Sequence, residues 1–282
     1  MDINSGQHQN NQTLNHPMQG IAPHKTNVIS PLVQFIVAAL APSKIYKIKR
    51  PEQSHMDPDP YIDLMVVLPS KSNPSFFELQ SGLELSYIKD NKVACSIQNE
   101  EELLKRLQEG QIFYALHCTP ENLVYDDQAL DYPVPAPELI KTTKEDAMID
   151  FEKNYAKALA FRSAATSLLE NDTTTVAIFL LHQAAELSLR ALLLSLSGQE
   201  TKTHEIRRIQ KQVHRYAPPL SDIFPEETLE ERFLLEEFDL AYTHARYCDA
   251  YKIAAADLDI IIHKVNLLLE RTRQTADSYL KI

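Results

Sequence analysis

Glycine is scarce, with 5 in 282 residues, which leaves few positions for tight turns and favours helices over turn-rich β architecture. Cysteine is scarce as well. Cys95, Cys118 and Cys248 stand far apart with no CxxC or CxH pairing, so neither a zinc knuckle nor a disulfide framework is expected, and a reducing cytoplasm fits. A surplus of positive charge is also missing: 28 Lys and Arg face 39 Asp and Glu, a formal net charge of −11, and neither half of the chain is basic. Affinity for nucleic acid therefore cannot rest on bulk charge and needs a local pocket with a few well-placed cations. No apolar run reaches the roughly 18 residues of a membrane span. The first residues lack both an apolar and a basic segment, so no signal peptide and no membrane association are expected.

What is present is the composition of a globular protein, 44% hydrophobic and 24% charged, long enough for two domains. Residues 1–29 are rich in Asn, Gln and His and poor in large apolar groups, so they are expected to be a disordered polar tail. His8, His16 and His24 recur at a regular spacing there, but a tail gives them no fixed geometry and no metal site is expected. Ser30 as N-cap and Pro31 at the first helical position predict a helix ending near Pro42. Strands are expected at 45–48, at 61–68, whose nearly unbroken apolar run reads as a central strand buried on both faces, and at 92–98. Between them lie a proline-punctuated loop at 50–60 and a helix at 75–88. A helix at 99–109 closed by Gly110 follows, then a strand or helix at 111–118. Residues 30–130 thus read as an α+β or α/β domain.

Pro133, Pro135 and Pro137 favour extended backbone, and residues 131–145 are expected to be a Pro-rich linker. Beyond it the pattern is all helical: 145–170, 173–197 ending at Gly198, 203–217 ending at Pro218 and Pro219, 226–245 and 254–280. Five helices with short links make a bundle over 146–282. The second is apolar around most of its circumference and is expected at the centre.

Leu181-His182-Gln183-Ala184-Ala185-Glu186 followed by Ala191-Leu192-Leu193-Leu194, then Lys202-Thr203-His204, then Asp239-Leu240-Ala241-Tyr242 with Ala245-Arg246-Tyr247, resemble the HEPN family in order and spacing. The resemblance covers nearly the whole second half. It implies a four- or five-helix bundle that commonly dimerises and often sits beside a nucleotidyltransferase-like domain.

The first half resembles a minimal nucleotidyltransferase whose chemistry is degenerate, and the resemblance implies an α+β domain with a small mixed sheet and helices. That chemistry needs a Gly-Ser turn after one strand and paired acids at the start of the next, to hold magnesium against a triphosphate. Asp63 matches the second acid, but Tyr61 takes the place of the first. Lys49-Arg50-Pro51 stands where the Gly-Ser turn belongs, and the strand at 92–98 offers no acid. Asp57 and Asp59 each precede a proline, which draws them away from the strand-start geometry. Asp63 is read as vestigial, and no metal or cofactor is expected.

Many HEPN proteins are metal-independent ribonucleases that use an Arg followed four to six residues later by His, the imidazole moving a proton and the guanidinium stabilising phosphate charge. Here Arg246 is followed by Tyr247, Cys248, Asp249, Ala250 and Tyr251. Tyrosine, with an ordinary pKa of about 10, is a poor general base at neutral pH. His244 precedes Arg246 by two residues, about 200° away around an ideal helix. Arg208 and His214 have the spacing but stand in a different helix, about 600° apart in sequence and off a common face.

No catalytic residue is assigned. Arg246, Tyr247, Tyr251, Lys202, His204 and Arg208 are the candidate phosphate- or nucleotide-binding residues, with Tyr242 offering a further ring for base stacking. Arg246 is positioned either to meet a phosphate or to pair with Asp239 or Asp249. The basic stretch Lys202, Arg207, Arg208, Lys211 and Arg215 is either a phosphate-binding patch or a solvated face. His182 and Glu186 share a helix face as a buried polar contact, with no third ligand at matching spacing for a metal. The reading that follows is a cytoplasmic, catalytically silent regulatory protein that binds nucleotide or RNA and forms a homodimer through its helices. The alternatives are an RNA endonuclease of toxin type and a non-catalytic dimeric scaffold.

Overall fold

A computed structural model describes residues 29–49, 62–70, 93–248 and 251–281. The expected tail over 1–28, the loop at 50–60 with Asp57 and Asp59, and the helix at 75–88 lie outside the described residues.

The first half opens with helix α1, Ile29–Leu40, and contributes strands β1, Lys44–Lys47, β2, Ile62–Leu68, and β3, Val93–Asn99. Helices α2, Glu100–Gln108, and α3, Ile112–His117, lead to a fourth strand, β4, Leu123–Asp126. The sheet order is β3-β2-β1-β4. β2 runs parallel to β3 and antiparallel to β1, and β1 pairs antiparallel with β4. The sheet is therefore mixed, with β2 in its interior.

Burial on both faces explains the apolar run of β2. On one face Leu64, Val66 and Leu68 join Ile45, Cys95 and Ile97 against Val33 and Ile36 of α1. On the other, Met65, Val67, Tyr46 and Ile48 pack with Leu103, Leu107, Phe113 and Tyr114, and this cluster runs on into the interior of the helical half.

That half consists of α4, Pro137–Leu169, α5, Thr174–Ser197, α6, Ile206–His214, α7, Leu229–Tyr247, and α8, Ala255–Leu280. α5 touches each of the other four. By length and composition it is long and apolar enough to cross a membrane, but it is largely buried inside the bundle. Gly198 ends it in the left-handed region at φ 66°, its N–H donating to Leu194 O at 2.8 Å, a conformation that costs a residue with a Cβ about 1–2 kcal/mol.

Four expectations need correction. α4 begins at Pro137 rather than near 145, because Ala136 is extended and Pro137 takes the first helical position, where its missing N–H costs nothing. Only the first part of the expected linker is extended, and it is not free of contacts: the Tyr132 hydroxyl donates to Glu100 at 2.8 Å, and Lys44 lies 4.7 Å over its ring. α6 stops at His214 instead of reaching Ala217, and a short 3₁₀ turn over Pro218–Ile223 follows it. β4 was not expected; an ion pair of buried Lys44 with half-buried Asp126 at 2.6 Å ties it to β1. The strand-or-helix alternative at 111–118 resolves as helix α3.

Candidate functional site

α5 carries an unusual load for a central helix: His182, Glu186 and Ser188 are buried in it. A carboxylate in that position is stable only when paired and hydrogen-bonded. Three side chains lie within hydrogen-bonding distance of Glu186. Arg190 Nε stands 2.9 Å from its Oε1, one helical turn along; His204 Nδ1 lies at 2.9 Å from the same oxygen; and Gln183 Nε2 donates to Oε2 at 3.1 Å. Arg190 also donates through Nη2 to Thr203 O at 2.7 Å, which pins the loop that delivers His204.

His182, fully buried, bridges towards α7. Its Nδ1 is 3.9 Å from Glu186 and its Nε2 3.7 Å from Asp239. Asp239 is engaged by α6, accepting from the Ile206 N–H at 2.6 Å, so a carboxylate caps the start of that helix.

Aromatic rings cover the outer side of this network. His204 stacks on Tyr242, centroids 4.2 Å apart and planes 12° off parallel. Arg246 lies 4.3 Å from the same ring, 5.3 Å from Phe179 and 5.0 Å from Tyr247, and its Nε donates to Tyr242 O at 2.7 Å. Among the described residues Arg246 forms no ion pair with Asp239 or any other carboxylate; Asp249 lies outside them. Tyr247 is 81% exposed, and the His204 side chain is 46% exposed although its Nδ1 is held by Glu186.

The structure thus gathers Arg246, Tyr247 and His204 on one surface, with Tyr242 between the imidazole and the helix end. Three candidates fall elsewhere or are otherwise engaged. Tyr251 is buried, its hydroxyl donating to Glu237 O at 3.1 Å and its pKa pushed up to about 12 by burial. Arg208 pairs with Glu205 at 2.7 Å. Lys202 is exposed at the edge of the loop. Arg207 and Lys211 meet Glu226 at 3.1 and 3.5 Å, so much of the basic face of α6 is compensated by carboxylates. α7 runs unbroken through residue 247, and His244 contacts Tyr251 rather than the Arg246 rings.

Two participants were overlooked in the sequence. Arg190 stands one turn beyond Glu186, the spacing of a helical ion pair, and that signal was available. Phe179 had none, because its contact with Arg246 depends on how α5 and α7 pack. Asp63, on β2, is buried beside Cys95, whose thiol is pushed up to about 12 by burial and then by the Asp63 charge. Its strand start is the opposite end of the sheet from Asn99. Among the described residues no group of three His, Cys, Asp or Glu side chains is arranged to hold a metal ion.

A five-helix unit whose central helix buries a paired carboxylate under a His-Tyr-Arg surface defines an all-α module with one polar seam. Residues 151–277 match the family model of the HEPN domain, so the helical half of this chain carries a HEPN domain. No curated protein matches the sequence.

Proposed function

We propose that this protein is a cytoplasmic, catalytically silent regulatory protein that binds RNA or a nucleotide on the surface formed by Arg246, Tyr242, Tyr247 and His204. The observation that carries the reading is Arg246: a guanidinium without an ion-pair partner among the described residues, laid against three aromatic rings. Such a group pairs with phosphate through parallel N–H donors, and an exposed tyrosine face beside it stacks a base without sequence preference. The sheet half is in this reading a nucleotidyltransferase relative without its metal chemistry, Asp63 being its one remaining acid.

The test is titration of the full chain with nucleoside mono-, di- and triphosphates and with short single-stranded RNA, alongside Arg246→Ala. Binding weakened at least tenfold by the substitution supports the proposal. Binding of none of these ligands, or equal binding by the variant, refutes it and leaves the dimeric scaffold ahead.

One observation favours a second reading, the metal-independent endonuclease. His204 does not follow Arg246 in sequence, yet it shares the Tyr242 ring with it and has one ring nitrogen held by Glu186. An imidazole oriented by a carboxylate leaves its other nitrogen to move a proton, as in general acid–base catalysis. RNA cleavage in excess chelator that disappears in both His204→Ala and Arg246→Ala would establish this reading; an inert parent protein would dismiss it.

A further inference from the structure

A second cluster of cations lies away from the Arg246 surface. Where the end of β3 and the first turns of α2 meet the end of α6, Gln98, Glu102, Arg106, Lys211, Gln212 and Arg215 line a cleft of about 500 Å³ that opens to solvent. That is the size range of small-molecule sites. The cleft sits at the C-terminal end of α6, whereas His204 precedes its N-terminal end.

The two arginines differ in their partners. Arg106 is buried, ion-paired with Glu102 and packed 5.0 Å from the Tyr114 ring. Arg215 approaches the same ring at 5.7 Å, but among the described residues it has no carboxylate, and its Nε and Nη2 are buried without a hydrogen-bond acceptor. The third cation of the cleft, Lys211, is exposed and pairs with Glu226 at 3.5 Å. In the same wall Gln98 Oε1 is buried without a donor, while its amide nitrogen reaches Glu102 at 3.3 Å. Unmet donors on a guanidinium and an unmet acceptor on an amide are each costly when buried. A ligand supplying both an anion and a hydroxyl would relieve both.

We propose that this cleft binds a phosphorylated small molecule carrying a free hydroxyl, such as a sugar phosphate. Arg215 takes the phosphoryl oxygens, with Lys211 at the rim, and Gln98 accepts from the hydroxyl. A guanidinium matches phosphate through two parallel N–H bonds. The site is independent of the Arg246 surface and does not rest on the function proposed for it.

The experiment is calorimetric titration of the full chain with ribose 5-phosphate and with ribose, repeated on Arg215→Gln, Gln212→Glu and Arg246→Ala. Ribose 5-phosphate has no base to stack on the Arg246 surface, so it reads the cleft separately from the nucleotide test above. Gln212 is exposed, so the added charge opposes a phosphate in the cleft without disturbing the interior. Saturable binding of ribose 5-phosphate, absent for ribose, is expected. It weakens at least tenfold in both cleft variants and persists in Arg246→Ala. Failure of ribose 5-phosphate to bind, or binding that survives either cleft substitution, overturns the proposal. Loss in Arg246→Ala alone overturns it too and assigns the binding to the other surface.

Discussion

Glu186 is the residue on which the candidate site turns. Its buried carboxylate holds Arg190 and His204 at 2.9 Å each, and through them the loop before α6. Arg190 and His204 are partly exposed, so what their release costs is the hydrogen bonding to a charged group, about 1.5–3 kcal/mol. Glu186→Ala is therefore expected to destabilise the fold by that amount in denaturant unfolding, and to release His204 from the Tyr242 ring. Glu186→Gln, which keeps the shape and a hydrogen-bond acceptor, should lose less. The cysteines separate in the same way by environment. Cys95 and Cys118 are buried and their thiols are raised, Cys95 to about 12, while Cys248 is exposed. A raised folded-state pKa gives stabilisation that is whole below the ordinary value of 9.0 and is lost as pH rises towards 12. At pH 8.5 a disulfide reagent is expected to titrate one thiol rapidly, lost in Cys248→Ser, and the other two only upon unfolding. Three equally fast thiols would contradict the packing around β2 and α3.

At the scale of elements, α7 shows how a helix start is fixed. Thr228 Oγ1 accepts from the Glu231 N–H at 3.2 Å, and Glu231 Oε2 accepts from the Thr228 N–H at 3.0 Å, a reciprocal capping box. Thr228→Ala is expected to cost about 1 kcal/mol of stability, read as a shift in denaturation midpoint, with nucleotide or RNA binding unchanged if α7 keeps its far end in place. The Thr-x-x-Glu spacing was visible in the sequence and would have placed this start at residue 229. The helices were legible because their apolar period is long and two of them close at Gly110 and Gly198; Pro137, read as linker, hid the true start of α4. β4 was not, because four half-buried residues give too short a pattern to distinguish from loop. In the site, the segments around His182, His204, Asp239 and Arg246 were legible as a resemblance, but their convergence was not. The Glu186–His204 contact spans 18 residues, and Glu226 reaches Arg207 and Lys211 of α6 from beyond that helix. Such pairings come from how elements pack, which local spacing does not encode.

At the scale of the molecule, the question is whether the sheet and the HEPN domain behave as two units. Composition and the three closely spaced prolines favour two, yet the apolar cluster on the inner face of the sheet is continuous with the bundle interior. α3 is the bridge. Phe113 meets Tyr216 edge-on at 4.9 Å, and the Tyr114 and Tyr216 hydroxyls lie 3.2 Å apart. These three rings join a helix of the first half to the end of α6, directly behind the arginine-lined cleft. Burying an aromatic side chain in such a junction is worth about 3–5 kcal/mol against alanine, comparable with a large part of a domain's net stability. The halves are therefore expected to unfold together: helical circular dichroism and tyrosine absorbance should follow a single denaturant transition with one midpoint. Phe113→Ala should lower that midpoint for both signals alike. If the helical signal instead survives a first transition that reports on the tyrosines of the sheet half, the junction is a docking contact between independently stable domains. Arg215 and Gln98 would then face each other across an interface free to open.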